Sequence, residues 1–345
     1  MTVVVKLGTS LVVGAGGQAR GSLLRARARE IGELVRGGEP VCVVSSGAIA
    51  LGLSRLGLAR RPRSVPRLQA ASALGQARLQ AAWEAALAPE GLPVAQILLT
   101  AGDVADRAAY VNVRNALDAL FRAGAVPIVN ENDATATDEI TFGDNDALAA
   151  QVAVLVQARL LVLLTEVEGV YTRAPGTPGA KLLTEGAFAG AAELVGGSSL
   201  GRGGMRSKVL AAQMAASAGI PTVIAAGAGK DVLGPVVAGE PRGTRFTAAG
   251  TAEPAFKLWL RFGKPVSGRL HVDEGARRAL VEDGASLLAV GVVSSEGRFE
   301  PGAAIEIVGP DGAAFAKGIA TVAAAELDRR VRGVEAVHRD RLVLL

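Results

Sequence analysis

Two lysines sit beside glycine-rich loops in this chain. Lys6-Leu7-Gly8-Thr9-Ser10 closes the first apolar run, and Gly201-Arg202-Gly203-Gly204-Met205-Arg206-Ser207-Lys208 leads into a helical stretch with the lysine in its first turn. Glycine lets backbone N–H groups approach phosphate oxygens, and an ammonium group neutralises their charge, so each segment suits a polyanion. Only 7 of the 37 basic residues are lysine, so a lysine beside a glycine loop is not this chain's default basic residue. The first segment is not a P-loop, and Gly14-Ala15-Gly16 does not open a helix directly after a strand, as a dinucleotide fingerprint would.

A second kind of chemistry lies between them. Asn130-Glu131-Asn132-Asp133 closes an apolar run, and Gly143-Asp144-Asn145-Asp146 opens the next helical stretch. Carboxylates and amides at this density can grip an α-amino group, position a lysine, or hold Mg²⁺ indirectly through its waters. Ser45-Ser46-Gly47-Ala48-Ile49-Ala50 follows another apolar run, and its small residues leave the backbone open to a ligand. Leu163-Leu164-Thr165-Glu166 reads first as a plain strand end, from which Thr165 and Glu166 could reach a base or ribose. Two lysine devices and an acidic cradle suit phosphoryl transfer between two bound substrates, where the protein mainly positions groups and neutralises charge. No nucleophilic side chain is required. Cys42 lies inside an apolar run, and His271 and His338 lie far along the chain from these loops. One cysteine and two histidines exclude an internal disulfide framework and a Cys-cluster metal site, and leave little room for a His-ligated metal or a Ser/His/Asp triad.

These loops need elements to carry them. The 345 residues suffice for about two domains, and 50% apolar against 20% charged residues can bury a large core. Val3–Val5, Val41–Val44, Val94–Leu99, Val126–Val129, Leu160–Leu164 and Pro221–Ala225 read as strands, and their nearly unbroken apolar character is that of buried parallel strands. Between them, Ser22–Arg36, Leu68–Leu87, Val111–Ala123, Ala147–Ala158 and Met205–Ala218 read as helices, the first with Ser22 as its cap. This alternation predicts a three-layer α/β/α sandwich around a mainly parallel sheet, with ligands at the carboxyl ends of the strands. Thr244–Pro254 lacks periodicity and reads as a linker. Beyond it, Leu287–Val292, Ala304–Val308 and Leu342–Leu345 read as strands of a small β-rich domain, with Gly309-Pro310-Asp311-Gly312 as a turn. Residues 1–70 carry 11 basic and 3 acidic side chains, and residues 257–345 carry 13 and 12. The basic block reads as solvated helix faces, and the balanced tail lacks the basic stripe with interleaved aromatics expected of an RNA binder. The first residues reach a charge too early for a signal peptide, and no stretch is apolar enough to span a bilayer, so the expectation is a soluble, cytoplasmic protein.

The ordered set of Val5–Ser10, Ser45–Ala50, Asn130–Asp133, Gly143–Asp146 and Gly203–Lys208 resembles the amino-acid kinase family, in particular its glutamate 5-kinase branch. Val272-Asp273-Glu274-Gly275-Ala276 and Val337-His338-Arg339-Asp340 are similar to the C-terminal PUA domain of that branch. The resemblance implies an amino-acid kinase domain over residues 1–250, a PUA-like domain over 256–345, and transfer of the ATP γ-phosphoryl group to the γ-carboxylate of L-glutamate with Mg²⁺, the opening step of proline biosynthesis. It implies that Lys6 and Lys208 offset phosphoryl charge while Asp146 holds both. It assigns glutamate to Ser46, Asp133 and Asn145 with Asn130 and Asp144 nearby. ATP falls to Lys6, Gly8, Thr9, Thr165, Glu166 and Arg202, Gly203, Gly204, Met205, Arg206, Ser207 and Lys208. No protein ligand of Mg²⁺ is implied; homo-oligomers and inhibition by proline are. The family usually has Thr-Asp where this chain has Thr165-Glu166, and often Thr in place of Arg202, which bears on nucleotide affinity. The competing readings are an amino-acid kinase with another acceptor, such as N-acetylglutamate, and an RNA-binding or RNA-modifying protein acting through its PUA-like domain.

Overall fold

The computed structural model describes residues 1–58, 60–135, 145–185, 204–248, 255–258, 260–261, 264, 266–327 and 333–345. Its contacts divide the chain into two units, Met1–Ala255 and Phe256–Leu345.

In the first unit, unbroken apolar runs form strands buried on both faces. β1 (Val3–Leu7), β2 (Val41–Ser45) and β4 (Val126–Glu131) are buried along their whole length, and β5 (Leu160–Thr165) is buried except at Thr165. With β3 (Val94–Leu99), β6 (Thr222–Ala226) and β7 (Thr244–Phe246) they form a seven-stranded sheet in the order β3-β4-β2-β1-β5-β6-β7. All neighbours are parallel except β6 and β7. Leu7 pairs with Ser45 on one side and Leu164 on the other, so β1, β2 and β5 end at one level.

The helices are α1 (Thr9–Val12), α2 (Gly21–Arg36), α3 (Ala48–Leu53), α4 (Val65–Leu87), α5 (Ala101–Ala105), α6 (Arg107–Arg122), α7 (Asn145–Leu155), α8 (Met205–Ser217) and α9 (Leu233–Val237). Val3, Val5, Val43, Val162 and Val223 join Leu24, Ile31, Leu79 and Trp83 of α2 and α4 in one continuous core. Trp83 donates its indole N–H to Ser45 Oγ at 2.9 Å, which satisfies a polar group buried at the end of β2. α3 crosses α4 at Gly52 and Gly75, where the two backbones touch. Cys42 lies on β2, and burial pushes its thiol up to about 12, so it packs as a small apolar side chain.

α2 buries a charge pair. Arg27 Nη2 lies 2.8 Å from Glu30 Oε1 and donates to Gly229 O at 2.6 Å. Glu30 Oε2 accepts the backbone N–H groups of Val232 and Leu233, so this carboxylate satisfies orphan donors at the start of α9. Burial lowers the pKa of Arg27, against the pull of Glu30 and Asp231.

Two sequence expectations fail here for local reasons. Ser22 is not the cap of α2: the helix starts at Gly21, its N-cap position is Arg20, and no side chain caps it. The stretch read as a linker starts as strand β7, because three residues are too few to show a period. Thr244 is fully buried there, donating to Leu183 O at 2.5 Å and accepting from Val170 N at 2.8 Å.

The second unit holds β8 (Val266–Val272), β9 (Leu287–Leu288), β10 (Val292–Gly297), β11 (Ala304–Val308), β12 (Ala314–Ala320) and β13 (Glu335–Leu344) in a six-stranded sheet, order β10-β8-β11-β12-β13-β9. Helix α10 (Glu274–Val281) carries an Asp273 cap that accepts from Ala276 N at 2.7 Å. Leu270, Ile305, Ile307, Ala316 and Val337 make its own core. The turn expected at Gly309–Gly312 joins β11 to β12, with Asp311 Oδ1 accepting from Ala313 N. The expected strand Leu287–Val292 is broken by a 3₁₀ turn at Ala289–Gly291, β8 and β12 went unread, and β13 starts at Glu335 rather than Leu342. His271 Nε2 sits 2.9 Å from Glu296 Oε1 across the β8–β10 pair. Lys317 is buried beneath the carbonyls of Arg261 and Lys264, and burial lowers its pKa to about 8.

Candidate active site

The loops singled out in the sequence meet at the carboxyl ends of β1, β2, β4 and β5. β1 delivers Lys6, while the first turns of α7 and α8 deliver Asp146 and Lys208. Asp146 is 1% exposed and stands between the lysines: Oδ1 lies 2.5 Å from Lys6 Nζ and Oδ2 lies 3.0 Å from Lys208 Nζ. Ser207 Oγ adds a hydrogen bond to Oδ2 at 2.7 Å. Burial alone pushes the Asp146 carboxyl up, but the two ammonium groups and the hydrogen bonds from Lys6 and Ser207 outweigh that and hold it below the usual carboxylate range. One ionised carboxylate thus holds two cations in place. A Cβ added at Gly8 would meet Lys6 Nζ at 3.6 Å, so the Gly8 backbone lies directly beside one of them.

Next to this triad lies a cleft whose lining includes Thr9, Ser46, Arg61, Asn130, Asp133 and Asn145. Asn145 Nδ2 donates to Ser46 Oγ at 2.7 Å and to Asn130 Oδ1 at 2.9 Å. Asp133 Oδ2 accepts from Ser72 Oγ at 2.5 Å. Burial raises the Asp133 pKa, opposed by that hydrogen bond and by the charge of Arg61. Gly47 enters α3 at φ 120°, with Val12 Cγ1 and Val13 Cγ2 each 3.1 Å from where a Cβ would sit. Only glycine turns the chain there without strain.

On the other side, Thr165 ends β5 half-buried and accepts from Gly227 N at 2.7 Å, and Glu166 is exposed. Gly204, Met205, Arg206, Ser207 and Lys208 open α8, with Ser207 Oγ 2.9 Å from Gly204 O. Asp144, Arg202 and Gly203 fall outside the described residues. The structure therefore gathers Lys6, Gly8, Asp146, Ser207 and Lys208 at one point, and Thr9, Ser46, Asn130, Asp133 and Asn145 around the adjoining cleft.

Sequence reading missed Arg61, Ser72 and Gln76. Arg61 sits in an arginine-rich stretch where nothing marks one arginine from another. Ser72 and Gln76 had a signal: two polar residues four apart on the face of α4 that otherwise holds Leu68, Ala71, Leu79 and Trp83.

A lysine–carboxylate–lysine triad at the open end of a parallel sheet, beside an acidic and amide-lined cleft, defines a phosphotransferase acting on a small acceptor. The amino acid kinase family model matches residues 1–226 and the PUA domain model matches residues 268–340, and the chain belongs to the amino acid kinase family. Among curated proteins it is 44% identical to "Glutamate 5-kinase" of Gloeobacter violaceus over 368 aligned positions, covering 100% of both chains. It is 44% identical to "Glutamate 5-kinase" of Burkholderia cenocepacia, covering 99% of this chain and 97% of the relative, and 41% identical to that of Geobacter sp. (strain M21) at the same coverage. Among solved structures, UMP kinase from Bacillus anthracis aligns with TM-score 0.50 and 17% identity over 71% of this chain and 95% of that one, a likeness of fold.

The described donor set does not make a resident metal cage. Among the described residues no three His, Cys, Asp or Glu side chains cluster, and both Asp146 oxygens are engaged by lysines. What the site offers is two ammonium groups held side by side on one carboxylate.

Proposed function

We propose that this chain transfers the γ-phosphoryl group of ATP to the γ-carboxylate of L-glutamate, giving L-glutamyl 5-phosphate and ADP. The observation that carries the reading is Asp146 holding Lys6 and Lys208 together beside the cleft of Ser46, Asp133 and Asn145. The acceptor carboxylate is already ionised, so no general base is needed: its oxygen bonds to phosphorus as the bond to the ADP oxygen breaks. Lys6 and Lys208 meet the negative charge on the transferring group, and Asp146 keeps them there. Ser46, Asp133 and Asn145 hold glutamate, with Asn130 lining the same cleft; a role for Asp144 in holding it is part of the same proposal. Thr165, Glu166 and residues 202–208 hold ATP, together with Lys6, Gly8 and Thr9. When bound with ATP, Mg²⁺ would supply further neutralisation of the phosphate charge beside Lys6 and Lys208.

Residues 1–250 form the kinase domain in this reading and 256–345 the PUA domain. Similarity to glutamate 5-kinases along the whole chain supports glutamate over another acceptor and over an RNA-directed activity. No helix among the described residues is long and apolar enough to cross a membrane, and we place the enzyme in the cytoplasm as a homo-oligomer inhibited by proline. The deciding assay is ADP release with ATP, Mg²⁺ and L-glutamate, trapping the acyl phosphate with hydroxylamine. Glutamate-dependent ADP with γ-glutamyl hydroxamate is the expected result. Neither product, from folded protein that binds ATP, refutes glutamate as acceptor.

A further inference from the structure

Behind the acceptor cleft runs a line of four side-chain amides, all pointing their donors the same way. Asn145 Nδ2 donates to Asn130 Oδ1 at 2.9 Å, Asn130 Nδ2 donates to Gln76 Oε1 at 2.9 Å, and Gln76 Nε2 donates to Gln96 Oε1 at 3.2 Å. Asn145, Asn130 and Gln76 are buried, and the line reaches the protein surface at Gln96, on the edge strand β3. Turning over any one of the inner amides alone would set donor against donor and acceptor against acceptor.

This order fixes what the cleft can offer. Asn145 spends its second N–H on Ser46 Oγ at 2.7 Å, so it has no donor left. Its Oδ1 is buried and has no hydrogen-bond partner among the described residues, which is costly unless a ligand supplies one. Asp133 lines the same cleft, with one oxygen taken by Ser72. Ser46 Oγ, already accepting from Asn145, keeps its own hydrogen to donate. The cleft therefore presents an amide acceptor and a carboxylate to one part of the substrate and a hydroxyl donor to another.

The geometry points to Gln76 as a positioning residue that sets the polarity of the acceptor site, so that Asn145 and Asp133 receive an α-ammonium group and disfavour an α-hydroxyl group in its place. This rests on the reading of the chain as a glutamate kinase. Gln76 touches no substrate; it acts by fixing Asn130, which fixes Asn145.

The test compares L-glutamate with L-2-hydroxyglutarate, which keeps both carboxylates and replaces the ammonium with a hydroxyl. In Gln76→Leu the ratio of kcat/KM for the two acceptors is expected to fall about tenfold, the size of one hydrogen bond to a charged group. KM for ATP should stay within twofold. Gln76→Glu still offers Asn130 an acceptor and should retain most of the wild-type ratio, whereas Gln76→Met fills the same space without an acceptor and should lose it, which a packing role would not predict. Gln76→Met provides the same comparison if the leucine variant melts early. A folded Gln76→Leu or Gln76→Met with the wild-type ratio overturns the inference, as does a folded Gln76→Glu that loses it. Wild-type protein yielding no glutamate-dependent ADP refutes the underlying kinase reading instead, before any variant is compared.

Discussion

Gly52 and Gly75 meet where α3 crosses α4, so closely that a Cβ on Gly52 would fall on the Ala71 carbonyl and one on Gly75 would fall on the Ala48 carbonyl. The obstacles are main-chain atoms within helices, so the clash can be relieved only by parting the helices. α3 follows Ser46-Gly47 at the cleft, and α4 carries Ser72 and Gln76, which reach Asp133 and Asn130. Gly75→Ala should therefore cost about 3 kcal/mol or more, at the upper end for overpacking. At this size that lowers the melting temperature by roughly 6–12 °C, which calorimetry would detect. KM for glutamate should rise in the same variant, because Ser72 and Gln76 move with α4.

The charge arrangement at Asp146 makes a separate prediction. Lys208→Ala should lower kcat by about 10²–10³, the scale for one lost electrostatic stabiliser of a transition state. The fold should survive, since Asp146 keeps Lys6 at 2.5 Å. Steady-state kinetics with the coupled ADP assay decide it, and an unchanged kcat would remove Lys208 from phosphoryl transfer.

Asp133 sets an acid limit. Its pKa lies above the usual carboxylate range because it is buried, and only the ionised form pairs with an ammonium group. As pH falls through that raised pKa, kcat/KM for glutamate should drop while ATP binding holds, since the Asp146 pKa is shifted the opposite way. Ser72 lowers the Asp133 pKa through its hydrogen bond, so Ser72→Ala should move the acid limb to higher pH. A limb that stays put would assign the titration to another group. Asp133→Ala should chiefly raise KM for glutamate; an effect confined to ATP would mean the two substrates are placed the wrong way round.

The buried pair on α2 predicts a stability effect with a particular structure. Arg27→Met leaves Glu30 buried without its cation, which should cost about 3–5 kcal/mol. Adding Glu30→Leu should restore part of that, because the uncompensated charge goes. The remainder reflects the amides of Val232 and Leu233, which lose their acceptor. A double variant no more stable than Arg27→Met would show that the pair's charge is not what matters. Denaturant titration of the wild type, Arg27→Met and the double variant measures both terms.

Much of the first unit is legible in sequence because a central parallel strand cannot be amphipathic. Val3–Leu7 and Val41–Ser45 are apolar almost throughout because both faces are covered. The site was legible for a related reason: polar and glycine-rich residues cluster where those strands end. What escaped was carried by fewer residues or by distant partners. β7 is three residues long and holds its place through the Thr244 hydroxyl. Ser22 looks like a cap, yet the chain enters α2 one residue earlier. Gln76 stands out as a polar residue on the apolar face of α4, but its role shows only once Asn130, 54 positions away, gives it a partner. In the second unit the strands alternate and bulge, so β8 and β12 leave little continuous apolar signal.

Cys42 has a practical consequence. It is the only cysteine in 345 residues, it lies wholly inside β2, and burial pushes its thiol up to about 12, so it is protonated near neutral pH. Maleimides and disulfide reagents should leave the native protein untouched. The wild-type chain is thus already a silent background for thiol labelling: one new cysteine on an exposed position of either unit would carry a fluorophore or spin label without first removing a residue from the core.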